Sequence, residues 1–194
     1  MASRYPLSGE TIIPLFKSVD ELGEPDFGAR DGCTFVSIPI GESTDGRWLT
    51  TVDAGFRRRS NEQVSARLRP CDFHEFAYEI CLVDTFGEHR TFETMDRDVA
   101  RGWLPVGSAP LVLETVRYGC AHLVNLIEPT LVYRVTNGSG LPAPAMEKYN
   151  FVRQALESKG YYVMFTERDG LGREFWLMGT NEFDVSTLMI EDEP

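Results

Sequence analysis

Six of the seven cysteine and histidine residues of this chain fall between positions 71 and 122: Cys71, His74, Cys81, His89, Cys120 and His122. Thiolate and imidazole are the donors that zinc takes in a tetrahedral set. Cys71, His74, Cys120 and His122 are therefore the candidate zinc ligands, spaced as Cys-x-x-His and Cys-x-His. The second Cys-x-x-Cys or His-x-x-x-His pair that marks a zinc finger is missing. The same residue types could serve a hydrolase or transferase, which needs a thiol beside a histidine base. Its candidate residues are Cys71, His74, His89, Cys120 and His122, with Cys71–His74 and Cys120–His89 as the pairs to test. A plainer alternative stands beside both: free cysteines commonly pack as small hydrophobes, and Cys120 lies in an apolar helical stripe.

Five arginines, Arg57, Arg58, Arg59, Arg67 and Arg69, share a short segment with a single acid, Glu62. Their planar guanidinium groups suit carboxylate or phosphate. The chain as a whole carries 30 acids against 19 basic residues, a formal charge of −11. That charge repels duplex phosphates at long range, and only Phe56 adjoins the arginines to stack on a single strand. The expected partner is thus another protein, and an arginine-mediated nucleic-acid binder is the disfavoured alternative. The alternative is a solvated loop held near the acidic end of the same chain, Glu191, Asp192 and Glu193. Trp103, in Arg101-Gly102-Trp103-Leu104-Pro105, reads as a loop residue marking a surface or pocket, and joins the five arginines as a candidate contact residue.

Two further patterns are less specific. Asn137-Gly138-Ser139-Gly140 follows a predicted strand and precedes a helix start, where free N–H groups attract anions. It lacks both the Gly-x-Gly-x-x-Gly spacing and a Walker lysine, so an ordinary turn is the simpler reading. Asp96 with Asp98, or Asp169 with Glu174, could hold magnesium, but in so acidic a chain such pairs are commonly solvated surface.

The elements that would position these residues are most legible after residue 108. Pro110 opens and Pro129 closes a run in which Leu113, Val116, Cys120, Leu123, Val124 and Ile127 share a helical face. Thr130 to Thr136 is β-branched and apolar, a predicted central strand. Met146, Tyr149, Val152, Ala155 and Leu156 recur at helical spacing, and Gly160 follows as a left-handed cap. Tyr161–Phe165 and Arg173–Met178 then form a hairpin around a Gly-rich turn. In its second strand Phe175 and Leu177 face one way and Glu174, Trp176 and Met178 the other, so the second face should be partly covered too.

Earlier residues predict a hairpin from Thr34–Ile40 and Trp48–Ala54, a strand over Phe76–Val83 and a short helix near Met95–Ala100. The segment 57 to 69 fits either a polar helix or a loop. Together these give a single α+β domain over residues 33–180, with a mixed or antiparallel sheet, two main helices near 109–128 and 144–159, and a C-terminal hairpin. An irregular arm precedes it over 1–32, and an acidic tail follows over 181–194. No apolar run reaches membrane-spanning length and the first residues lack a signal-peptide core, so the expected location is cytoplasmic. The cysteines should be reduced, and no cofactor is expected apart from the zinc option. In the absence of a catalytic motif, the expectation is a non-catalytic inhibitor, adaptor or accessory protein that binds a macromolecule through charged surfaces. One version presents an acidic face to a nucleic-acid-binding partner.

Overall fold

The computed structural model describes residues 7, 10–22, 25–86, 91–94, 96–139 and 143–190. His89, Gly140 and the acids Glu191, Asp192 and Glu193 lie outside these residues, as do the side chains of Asn137, Ser139 and Met146. Among these residues nine strands hydrogen-bond in the order β1 (Ile12–Pro14), β3 (Cys33–Ser43), β4 (Trp48–Glu62), β5 (Cys71–Asp84), β7 (Leu131–Ser139), β9 (Arg173–Gly179) and β8 (Tyr162–Arg168), with β2 (Phe27–Arg30) on β3 and β6 (Thr91–Thr94) on β5. The mixed α+β class is as expected, and the sheet is larger than the sequence implied. The chain groups into two compact units, one made of residues 1–28, 35–54 and 78–119, the other of 29–34, 55–77 and 120–194. These two clusters interleave along the chain.

In the first unit, β1 (Ile12–Pro14) pairs antiparallel with the end of β3 (Cys33–Ser43). With β2 (Phe27–Arg30), it makes strand of two stretches that were expected to be irregular. Val36, Ile38 and Ile40 of β3 alternate inward, as do Trp48, Thr50, Val52 and Ala54 of β4 (Trp48–Glu62). Ile80 and Leu82 do the same in β5 (Cys71–Asp84). Period-two burial of β-branched and aromatic residues holds each strand in register. The helix α2 (Ala109–Ile127) crosses this face at Gly119, where an added Cβ would meet Val36 at 3.0 Å and Ala54 at 3.5 Å. Close approach rather than backbone angle is what favours glycine there, since any larger residue would press on the Val36 side chain.

On the opposite faces of β3 and β4, the hydroxyls of Ser37 and Thr51 donate to the Asp53 carboxylate at 2.6 and 2.7 Å. The short β6 (Thr91–Thr94) pairs antiparallel with β5 and leads to α1 (Arg97–Trp103). Asp96 caps α1, accepting from the Asp98 and Val99 amides, a normal N-cap role.

In the second unit, β5 pairs in parallel with β7 (Leu131–Ser139), which is indeed an inner strand. β9 (Arg173–Gly179) lies between β7 and β8 (Tyr162–Arg168), antiparallel to both. One face is formed by Phe73, Leu131, Phe165, Phe175 and Leu177, joined by Leu68, all buried. On the other, α3 (Ala143–Glu157) buries Tyr149, Val152, Ala155 and Leu156. The Tyr149 ring reaches Trp176 at 6.1 Å. Both faces of β9 are covered, as its two-sided apolar pattern required.

The end of α3 shows how fully local sequence can specify structure. Gly160 adopts φ +84°, and its N–H reaches the Glu157 carbonyl at 3.1 Å while the Tyr161 N–H reaches Leu156 at 3.1 Å. These two bonds make a Schellman cap, which satisfies carbonyls that the helix leaves open.

Candidate functional site

The arginine segment is built differently from either expectation for it. β4 continues through Arg57, Arg58 and Arg59 to Glu62, so its first half is strand and neither helix nor loop. Neighbouring acids occupy two of its cations. Arg59 holds Glu75 at 2.7 Å and lies 3.7 Å from Glu62. Glu75 raises the Arg59 pKa above the ordinary guanidinium range, securing its charge. Arg58 meets Asp72 at 3.4 Å, and the Asp72 carboxylate also accepts from the Asn61 N–H at 2.9 Å.

Arg57, Arg67 and Arg69 are exposed. Among the described residues, none of the three has a carboxylate partner. Arg67 lies over the Phe165 ring, 5.6 Å from its centroid, a cation–π placement that fixes the side chain while leaving its charge outward. The backbone around it is tied into a turn. Ser65 accepts from the Arg67 N–H at 3.0 Å, its carbonyl accepts from Leu68 at 3.2 Å, and the Gln63 side-chain amide donates to the Leu68 carbonyl at 3.1 Å. The Ser65 hydroxyl in turn donates to Glu167.

Across from this turn runs the first part of the segment expected as an acidic tail over 181–194. Val185–Leu188 forms a 3-10 turn capped by Asp184, whose side chain accepts from the Ser186 N–H at 2.9 Å. The Arg69 N–H donates to the Leu188 carbonyl at 2.7 Å, and the Ile190 N–H to the Arg67 carbonyl at 3.0 Å. Leu68 and Met189 face each other in an antiparallel bridge. Phe183, Leu188 and Met189 rest on the apolar face of the unit. The tail is therefore docked as far as Ile190. The signal that could have revealed it is the apolar triplet Leu188-Met189-Ile190, which a purely solvated tail has no reason to carry.

Among the described residues the cysteine and histidine candidates are not assembled into a site, and the Cys120–His89 pair lies outside them because of His89. Three residues apart on one strand, Cys71 and His74 point to opposite faces of β5. Cys71 packs beside the apolar cluster, with its thiol pushed up by burial and by Asp72. His74 lies edge-on to Phe56 at 6.2 Å, and burial together with Arg58 holds its pKa below the usual imidazole range. Cys120 is fully buried in α2, where burial pushes its thiol up to about 12. His122, two residues on, is half-buried on a different side of the helix. Cys81, in the first unit, is held protonated by burial and by Asp53, Glu79 and Glu93. An activated thiol needs the opposite shift. Among the described residues no group of three or more His, Cys, Asp or Glu side chains is placed to hold a metal ion.

Other expectations are also corrected. Trp103 is the last residue of α1 and not a loop residue; it is 3% exposed, yet it borders a recess with Thr91, Phe92, Glu93, Thr94 and Val99, and the Thr50 hydroxyl donates to its carbonyl at 2.5 Å. Asn137 to Ser139 extend β7, and Ser139 pairs with Arg173, so as far as Ser139 this stretch is an irregular strand end; Gly140 lies outside the described residues. Asp169 organises the β8–β9 turn, accepting from the Leu171 and Arg173 amides at 2.9 Å and from the Arg173 side chain at 2.7 Å. Asp98 faces Arg101 at 3.6 Å. Among the described residues no helix is long and apolar enough to cross a membrane. In comparisons with known proteins, no family model matched this chain, and neither the curated proteins nor the solved structures gave a match.

Proposed function

We propose that this chain is a non-catalytic binding protein, an inhibitor, adaptor or accessory factor, whose partner is a protein offering an acidic segment to Arg57, Arg67 and Arg69. One observation carries the reading: in a chain with 30 acids and 19 basic residues, these exposed guanidinium groups have no carboxylate partner among the described residues. Arg58 and Arg59, by contrast, are engaged by Asp72, Glu62 and Glu75 and serve to stiffen the strand. A cation that is held but not neutralised attracts carboxylate without a large ordering cost. The overall negative charge weighs against nucleic acid as the partner, and a cytoplasmic setting with reduced thiols belongs to the same reading. The raised thiol pKa values of Cys71, Cys81 and Cys120 weigh against a thiol-dependent enzyme. The version in which Glu191, Asp192 and Glu193 present the binding face rests on residues outside those described.

The test is titration of the full chain with poly-glutamate and, separately, with duplex DNA, at low and high salt. The expected result is salt-sensitive binding of poly-glutamate alone. It should weaken at least about tenfold, equivalent to roughly 1.4 kcal/mol, in the Arg57→Glu/Arg67→Glu/Arg69→Glu variant. Binding unchanged by that variant, or no binding at low salt, would overturn the proposal.

A further inference from the structure

We infer that the segment from Phe183 to Ile190 is a displaceable cover, and that the apolar face beneath it receives an extended partner segment of the same pattern, adjacent apolar residues followed by acids. The acidic half of that pattern rests on the arginine reading above; the apolar half rests on geometry alone. Leu68, Phe73, Leu131, Phe165, Phe175 and Leu177 beneath the cover are all buried. Val64, Cys71, Tyr133, Val135 and Met164 pack against them from the body of the unit, and Phe183, Leu188 and Met189 add to that burial from the segment while staying only half-buried; no residue of the 3-10 turn is buried. The cover is thus a single layer of chain with solvent on its outer side. Its backbone bonds to the rest of the unit include the pair at Arg67 and Arg69, while those at Thr187 and Met189 close locally onto Asp184 and Ser186. A segment so attached is of the kind that opens locally without unfolding the unit beneath it.

What it would leave exposed has a defined shape. The Arg67 carbonyl and the Arg69 N–H flank Leu68 as an acceptor and a donor for one added strand, the geometry now used by Leu188 and Ile190. Strand addition of this type takes its affinity from backbone bonds and its specificity from side-chain pockets. The apolar contacts here are those that Leu188 and Met189 make with the cluster. Exposed Arg67 and Arg69 flank the same position, so carboxylates carried by the incoming segment are favoured there. The chain's own sequence shows the preferred pattern, Leu188-Met189-Ile190 followed by Glu191-Asp192-Glu193.

The experiment combines amide hydrogen exchange on the full chain with titration of a labelled peptide having the sequence of residues 181–194. Peptide binding is compared between the wild-type chain and a Leu188→Ala/Met189→Ala variant, in which the resident cover is weakened. The Arg69 and Ile190 amides should exchange at least about a hundredfold faster than those of Phe175 and Leu177. The peptide should bind the variant about tenfold more tightly than the wild type, because less resident chain must be displaced. Exchange of the Arg69 and Ile190 amides as slow as that of the β9 amides, or no peptide binding to the variant, would overturn the inference. A second peptide with its acids replaced by Gln separates the two claims. Equal binding of both peptides keeps the displaceable cover and removes the arginine reading. Poly-glutamate binding through Arg57, Arg67 and Arg69 with neither peptide bound keeps that reading and removes the cover.

Discussion

The two units solve the problem of covering a sheet in contrasting ways. In the first, α2 lies on a face of alternating Val, Ile and Ala residues closely enough that a Cβ at Gly119 would press on Val36, while the reverse faces of β3 and β4 carry a polar cluster centred on Asp53. In the second, the inner strand β9 is apolar on both sides, with α3 covering one and a thin irregular segment the other. A regular helix in close contact is a permanent cover, whereas an irregular one that keeps its own side chains half in water is held by far less. The contrast locates the more adaptable surface in the second unit.

Three substitutions test that contrast. The largest effect belongs to Phe175→Ala, since this ring is fully buried and touches Tyr133 at 5.3 Å and Phe165 at 6.0 Å. It should cost about 3–5 kcal/mol in urea unfolding. A much smaller loss would mean that the irregular cover collapses into the space, which would strengthen the case for its adaptability. Gly119→Val comes next, because it drives a branched side chain into Val36. About 1–3 kcal/mol is expected by the same measurement, and a neutral result would show the helix cover to be less close than the strand contacts imply.

The smallest effect concerns pH. Burial, reinforced by Arg58, lowers the His74 pKa from 6.5, so the unfolded chain binds this proton more readily than the folded one. The contribution is therefore fully present above pH 6.5 and is lost as pH falls through the depressed folded value. Thermal melting of His74→Gln across that window should show a shallower loss of stability on acidification than the wild type. Parallel curves would remove His74 as the source of the slope.

The parts of the fold that were legible in sequence are those specified by neighbours along the chain. The Gly160 cap, the periodic burial in α2 and the two-faced pattern of β9 each follow from residues a few positions apart. The arginine half of β4 was not legible, because from Arg57 to Glu62 it is mostly exposed and shows no apolar alternation to report a strand. Its conformation is set by pairing with distant residues, which propensity does not encode. Trp103 was misplaced for a related reason: Gly102 and Pro105 flank it and suggested a loop, yet it completes α1 and faces the core. Of the candidate site, sequence supplied the five arginines and their charge, but not which of them are already occupied. That depends on Asp72 and Glu75 across the strand pair.

The position of β9 also has a consequence in time. It lies between β7 and β8 although it follows both in the chain, and Leu131 of β7 finds its partner only at Gly179. During synthesis β7, α3 and β8 therefore emerge before the strand that joins them, with their apolar faces waiting. Until Phe175 and Leu177 are added, this unit has no centre, and a nascent chain stalled short of them would offer chaperones and proteases an open sheet in place of a nearly finished one.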